Sequence, residues 1–182
     1  MALVVLAWLA FSWALRRRPF IHPHSRRSEC EINLRELYLT QRSFREQHGR
    51  YSEQPLADGF WPEYGNRYLY LFSSRWRVAE RFDGGTPLRL DPLANAVGPD
   101  PHRTRETSLS LRAKLPMSVE AELGVRGDCD AGTCGFTAAC VANLDDDDTP
   151  DVWTISTEPT VDLNGDTIPP GVPAHRVTDR AD

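Results

Sequence analysis

A chain of 182 residues with 40% apolar side chains can bury one domain core and carry an appendage, but two domains would be cramped. Its formal charge of −5 is polarised: residues 1–50 hold nine Arg against four Glu, while residues 127–182 hold twelve acids against two Arg. That distribution argues against nucleic-acid binding by the globular part, and fourteen prolines point to a folded body interrupted by loops.

Ala2 to Leu15 carries no charge and a single polar side chain, Ser12, and runs into Arg16, Arg17 and Arg18. As a helix this stretch spans about 21 Å, short of the ~30 Å hydrocarbon layer. A cleaved signal peptide has basic residues before its apolar stretch and small residues at the cut; neither is present, so the segment reads as retained. The Arg cluster by itself would hold the following chain in the cytosol, whereas the cysteines favour an oxidising compartment. One resolution is that Met1 is an internal start and upstream residues complete the membrane segment.

Pro19 and Pro23 each remove a helix donor, which predicts a break or kink after the anchor. From Ser28 a helix is expected: Ser28 with Glu31 reads as a capping box, and Cys30, Leu34, Leu37, Gln41, Phe44 and His48 recur at alternating spacings of four and three, with Tyr38 widening the stripe. Gly49 is the stop. The stripe predicts core contact with a sheet. Arg67–Phe72 and Arg75–Phe82 flank Ser73 and Ser74 and read as a hairpin. Residues 83–106, with Gly84, Gly85 and four prolines, read as a long loop or insertion. Leu109–Leu111, Met117–Leu123, Phe136–Ala142 and Val152–Thr157 are strand candidates. From Glu158 the Pro-rich tail is expected to be extended over the surface or disordered.

The acidic stretch between the last two strand candidates has five carboxylates in the seven positions from Asp145 to Asp151. Oxygens at Asn143, Asp145, Asp147, Thr149 and Asp151 fall at every second residue, the spacing with which a calcium loop wraps one hard cation. An EF-hand would have Gly and Glu where this chain has Asp148 and Thr154, so a helix-flanked EF-hand is not expected. The competing reading is a solvated acidic turn between two strands. If a cation binds, Asn143, Asp145, Asp147 and Asp151 are preferred over Asp146 and Asp148, because alternate residues can point the same way. Asp162, Asn164 and Asp166 form a second oxygen-rich turn that reads as a plain turn.

Of the four cysteines, Cys129 and Cys134 bracket a tight loop containing Gly132, and a disulfide between them is the favoured pairing. Cys30 and Cys140 read as small apolar residues on a helix face and a strand. A zinc site is the rival for the Cys129–Cys134 spacing, without a second paired motif to support it. No nucleophile elbow, phosphate-binding glycine loop or His-Glu metal motif is present, and catalysis is not expected. His22 and His24 beside Pro23 read as solvated, and His48, His102 and His175 as isolated. The enzymatic alternative is a clustered-Asp metal hydrolase centred on Asp147. The binding-module alternative is a tethered domain recognising a partner through exposed aromatics around Trp61, Tyr64 and Trp76.

Glu29, Asn33, Leu34, Tyr38, Gln41, Phe44 and Gly49-Arg50-Tyr51, then the run from Gly59 to Tyr68, then Cys134 to Ala139, Asn143, Asp145, Asp147 and Asp151 to Ile155 together resemble bacterial type IV pilin-like proteins and pseudopilins, and look nearest to the pilins of myxobacteria. The resemblance covers roughly residues 28–72 and 127–157 and implies an α+β pilin-like fold, with an amphipathic helix packed on an antiparallel sheet. It implies four regions: a membrane anchor over 1–18, a Pro-kinked connection and amphipathic helix over 19–49, a sheet domain over 50–157 with an insertion near 83–106, and an extended tail over 158–182. The implied function is a structural subunit of a type IV pilus or type II secretion pseudopilus. Its implied partners are other pilin-like subunits and the assembly machinery, and its place is the bacterial inner membrane with a periplasmic domain, or an extracellular pilus. The alternative is a membrane-tethered periplasmic binding domain that does not polymerise. Pilin precursors share a basic leader, a Gly cleavage point and a Phe-Thr-Leu-Ile-Glu run, none of which occurs here; alignment on Pro19 and Glu29 places Met1 inside the mature helix. That is expected of a misplaced start or of a relative that has lost its leader. The resemblance also implies a calcium ion ordering the C-terminal acidic loop.

Overall fold

A computed structural model describes residues 23–80, 93–145 and 147–179. Its backbone is one long helix, α1 (Pro23–His48), laid across a sheet whose other face carries two short helices. α1 contacts the sheet because Cys30, Leu34, Leu37 and Gln41 are all buried along one side of it. Gly49, at a φ of 74°, closes its C-terminus by donating its N–H to the Arg45 carbonyl at 2.8 Å. The helix is described from Pro23 onward, so Ser28 lies inside it and the Ser28–Glu31 pair does not open it. Within the described residues no helix is long and apolar enough to cross a membrane; the expected anchor lies outside them.

The strands are β1 (Leu69–Leu71), β2 (Val78–Ala79), β3 (Ala96–Val97), β4 (Gly124–Arg126), β5 (Gly135–Ala142), β6 (Asp151–Ser156), β7 (Thr160–Val161), β8 (Thr167–Ile168) and β9 (Ala174–Val177). The main sheet runs β2-β3-β1-β5-β6-β9, with β4 pairing the first half of the same β5 edge that β1 pairs further on. Its ladders are antiparallel except β2 with β3. β5 is buried at all eight positions because both faces of the sheet are covered. Phe136, Ala138, Cys140 and Ala142 point to α1 with Tyr68, Tyr70, Phe72 and Ile155, while Ala139 and Val141 point to the opposite layer with Leu69, Leu71 and Val152. The alternation of side chains along an extended backbone thus feeds two cores from one strand.

That opposite layer consists of α2 (Ser108–Ala113) and α3 (Met117–Glu122), where strands were expected. Leu111, Leu115, Val119 and Leu123 recur every fourth residue and are buried, but runs this short cannot separate helix from strand by period. The decisive local signal is Thr107, whose hydroxyl caps Ser110 N–H while the Ser110 hydroxyl returns to Thr107 N–H at 2.9 Å.

Two further expectations are corrected. The Ser73-Ser74 hairpin does not form: β3, drawn from the stretch read as an insertion, lies between β1 and β2. A two-residue hairpin turn needs positive φ, which Gly or Asn supplies and Ser does not. The tail is not loose either. β7 and β8 pair, and β9 adds to the edge of β6. At Gly171, with a φ of 75°, a Cβ would meet the Tyr38 ring at 2.8 Å, so the turn before β9 presses directly on α1.

Cys129 and Cys134 are joined, and Cys30 and Cys140, read from the sequence as small apolar residues with their pairing open, form a second disulfide between α1 and the central strand. The two bridges are separated by 5 and 110 residues in sequence, and among the described residues no cysteine is free. In the chain-entropy account a loop near 100 residues contributes about 4.7 kcal/mol and one near six residues about 2 kcal/mol. The double variant Cys30→Ala/Cys140→Ala should therefore lose more than Cys129→Ala/Cys134→Ala, by roughly twofold, in denaturant unfolding of the oxidised protein. Equal losses would refute a helix-to-sheet staple of that weight.

Candidate functional site: the acidic loop and its buried anchor

The loop between β5 and β6 takes its shape from side chain to backbone bonds. Asn143 is buried; its amide nitrogen donates to the Asp147 carbonyl at 2.5 Å and to Glu106 Oε1 at 3.2 Å. Asp145 Oδ1 accepts the Asp147 N–H at 3.2 Å, and Asp147 Oδ1 accepts the Thr149 N–H at 2.5 Å, two consecutive Asx turns. Lys114 at the end of α2 braces the loop, donating from Nζ to the Asp147 carbonyl and to Glu106 Oε1, both at 3.0 Å. Bonds from the Ser110 hydroxyl, then Lys114 and Asn143, hold the Glu106 carboxyl below the usual carboxylate range.

Asp151 belongs to a different environment. It is 0% exposed; Oδ2 accepts the Tyr68 hydroxyl at 2.7 Å and Trp153 Nε1–H at 2.8 Å, while Oδ1 meets His175 Nε2 at 2.8 Å, with Arg27 Nε at 3.8 Å. Burial pushes this carboxyl up, but the bonds from His175, Tyr68 and Trp153 outweigh it and hold the value low. Tyr68 is driven far above its ordinary value by burial and the adjoining Asp151 charge. The ring of Trp153 stacks on His175 at 4.1 Å, and the one buried carboxylate ties α1, β6, β9 and the residue before β1 together. His175, read as isolated, is a member of this cluster, and His48 stacks on Phe44 at 4.1 Å.

Of the four oxygens expected to share a cation, the structure brings Asp145 and Asp147 together. Asp151 has both oxygens engaged elsewhere, and Asn143 works through its amide nitrogen. The third carboxylate that joins the pair is Asp179, just past β9: one oxygen from each of Asp145, Asp147 and Asp179 lies within 4.8 Å of the others. Asp179 escapes a reading of the sequence because its segment is expected as an extended or disordered tail, and the four-residue strand before it, Ala-His-Arg-Val, carries no apolar–polar alternation to signal it. Asp146 lies outside the described residues. Asp162 Oδ1 accepts the Asn164 and Asp166 N–H groups, both at 2.9 Å, which makes that segment the turn between β7 and β8.

A second, partly buried contact joins α1 to the run before β1. Glu29 accepts the Arg67 backbone N–H at 2.7 Å and faces its guanidinium at 3.3 Å; burial raises the Glu29 carboxyl above its ordinary value despite these bonds. Of the aromatics considered for partner recognition, Tyr64 is exposed, Trp61 packs against the core, and Trp76 lies under Arg112 at 4.7 Å against the opposite layer.

Asp151→Asn should cost about 3–5 kcal/mol of unfolding free energy, the range for removing one partner of a buried charged cluster. Because the folded carboxyl sits below its unfolded value, the folded state binds fewer protons near pH 4 than the unfolded state does. Its stabilisation is complete above the unfolded value and disappears as pH falls through the lowered folded one. Denaturant titrations from neutral to acidic pH should therefore show a shallower acid limb in the variant; parallel limbs would remove Asp151 as its source.

A family model for type IV pilin PilA matches residues 21–151, from α1 to the first residue of β6. The chain is also 30% identical over 172 residues to the type IV major pilin protein PilA of Myxococcus xanthus (strain DK1622), an alignment that covers 85% of this chain and 76% of that relative. With a long helix docked on an antiparallel sheet and a match over most of its length, the chain belongs to the type IV pilin PilA family of structural pilus subunits.

Proposed function

We propose that this chain is a filament subunit held in the bacterial inner membrane by residues 2–15, with the folded part in the periplasm until it is assembled into a surface pilus. Its partners are other subunits of the same class and the machinery that assembles them, and it acts by packing, with no chemical step. The observation that carries this reading is the division of α1 into two faces. One face is consumed by the sheet and by the Cys30–Cys140 bridge, while Ile32 and Leu39, one heptad apart on the outer side, remain 63% and 65% exposed. A long helix that still offers apolar side chains after docking suits lateral packing against copies of itself.

Two disulfides support an oxidising location for the folded part, and hence an orientation with the Arg cluster at the membrane and the sheet domain outside the cytosol. The relative's designation as a major pilin favours a bulk subunit over a rare tip component. Adhesion, motility and secretion are downstream uses of such a filament and share one architecture.

Cells making the full chain should release it in the sheared filament fraction, and deletion of residues 2–15 should abolish both that release and membrane sedimentation. Ile32→Ser/Leu39→Ser should reduce the sheared yield while leaving the melting temperature of the folded part nearly unchanged, since exposed substitutions stay within about 0.5 kcal/mol. Recovery as a cytosolic monomer with four free thiols would overturn the reading. Stable membrane residence with no sheared protein would favour the non-polymerising tethered domain.

A further inference from the structure

Two clefts of opposite charge lie at the two ends of α1. At the Glu29 end, a cleft of about 520 Å³ is lined by Arg67, His102, Arg103 and Arg105, with Asn143 and Leu144, and no carboxylate is among its lining residues. Glu29 holds Arg67 from behind. Arg103 and Arg105 are exposed, and neither guanidinium makes an ion pair or hydrogen bond among the described residues. Arg103 lies against Gly65, where a Cβ would stand 3.2 Å from its Nε, so the turn at Gly65, with a φ of 89°, sets its position. At the other end, where Arg45 reaches the Gly132 carbonyl, a cleft of about 560 Å³ beside Phe44 and Tyr51 is lined by Glu53, Asp128 and Asp130 against one cation, Arg50. Asp128 Oδ1 accepts the Asp130 and Ala131 N–H groups at 2.9 and 3.2 Å, and the Cys129–Cys134 bridge closes the same turn, so Asp130 is presented from a loop held by its own bonds. Glu53 and Asp130 are exposed. Glu29 and Arg45 stand about 24 Å apart along the helix axis at about 1.5 Å per residue.

We propose that the cationic cleft of one copy receives the acidic end of a second copy of this chain, with Arg103 and Arg105 pairing with Glu53 and Asp130 in a head-to-tail contact. This contact rests on the filament reading above and adds an axial partner that the outer face of α1 does not supply. Subunits held in one membrane all point the same way, so the ends that meet along α1 carry opposite signs and attract. Two acidic ends repel, and so do two cationic clefts, which selects against head-to-head pairing. Because different patches meet, the contact is heterologous and repeats into an open helical array instead of closing as a dimer. The guanidinium fork can offer two N–H donors to one carboxylate, which gives the pairing direction as well as attraction. Exposed pairs contribute little energy each, so the contact sets subunit order and register more than strength.

The test uses two charge reversals in the full chain. Arg103→Glu/Arg105→Glu leaves both ends acidic, and Glu53→Arg/Asp130→Arg leaves both ends cationic; each alters only exposed side chains, so melting temperatures should stay near the parent's. Either reversal alone sets like charges against each other and should reduce the sheared yield roughly tenfold or more, whereas cells making both together should recover it by alternating the two. Sedimentation of the purified chain in detergent reads the same contact outside a filament. The parent should self-associate, less so as sodium chloride rises from about 0.05 to 0.5 M; neither reversal alone should, and their equimolar mixture should. That pattern in detergent with no parent in the sheared fraction would support the contact and count against the filament reading. A single reversal that shears and sediments like the parent, or a mixture that does not recover, would overturn the assignment. So would binding of inorganic phosphate or phosphatidylglycerol vesicles that Arg103→Glu/Arg105→Glu abolishes while self-association is unchanged, since the cleft would then belong to a phosphate ligand.

Discussion

Docking of one face of α1 onto the central strand of the sheet is the constraint on which the remaining structure depends, because it decides which side of every strand becomes interior. Cys30, Leu34 and Leu37 occupy the surface that Tyr68, Tyr70, Ala138 and Cys140 present, and the Cys30–Cys140 bridge fixes the register between them. Once that face is taken, Leu69, Leu71, Ala139 and Val141 project the other way and need their own cover, which α2 and α3 provide. A strand buried on both faces is the consequence, and it explains why β5 contains no charged residue.

The carboxylates near the edge of this sheet divide into two kinds. Asp151 is sealed in and bonded on both oxygens, so its charge works as a structural knot among α1, β6, β9 and the residue before β1, at the desolvation cost any buried ion carries. Asp145 and Asp147 are exposed and bend their own loop through Asx turns. They sit a few residues apart in one acidic run, and their roles differ because β6 begins at Asp151 and carries it beneath Arg27 and beside Tyr68. Asp179 is intermediate: buried like the first kind, facing the second.

For a filament subunit this arrangement separates two jobs. The inner face of α1 and its disulfide fix the helix to the sheet, while Ile32 and Leu39 on the outer face stay exposed. The β-rich C-terminal segment closes back on both α1 and the sheet, through Gly171 against Tyr38 and through β9 on β6.

The sequence alone determined the elements whose period is long enough to be unambiguous: the α1 stripe that ends at Gly49, and the apolar runs of β5 and β6. It also carried the family resemblance and, through an acidic run at alternating positions, the location of the candidate site. Short segments escaped it for a physical reason. Leu109–Leu111 and Met117–Leu123 are too brief for helix and strand periods to diverge, and only the sheet face beneath them, together with the Thr107 cap, selects helix. Pairing escaped it too, because which thiol meets Cys30, which strand enters between β1 and β2, and which distant aspartate joins Asp145 and Asp147 are outcomes of chain crossing and not of local preference. Tertiary structure decided those three matters, since each brings together groups that nothing in their immediate neighbours along the chain could direct toward one another.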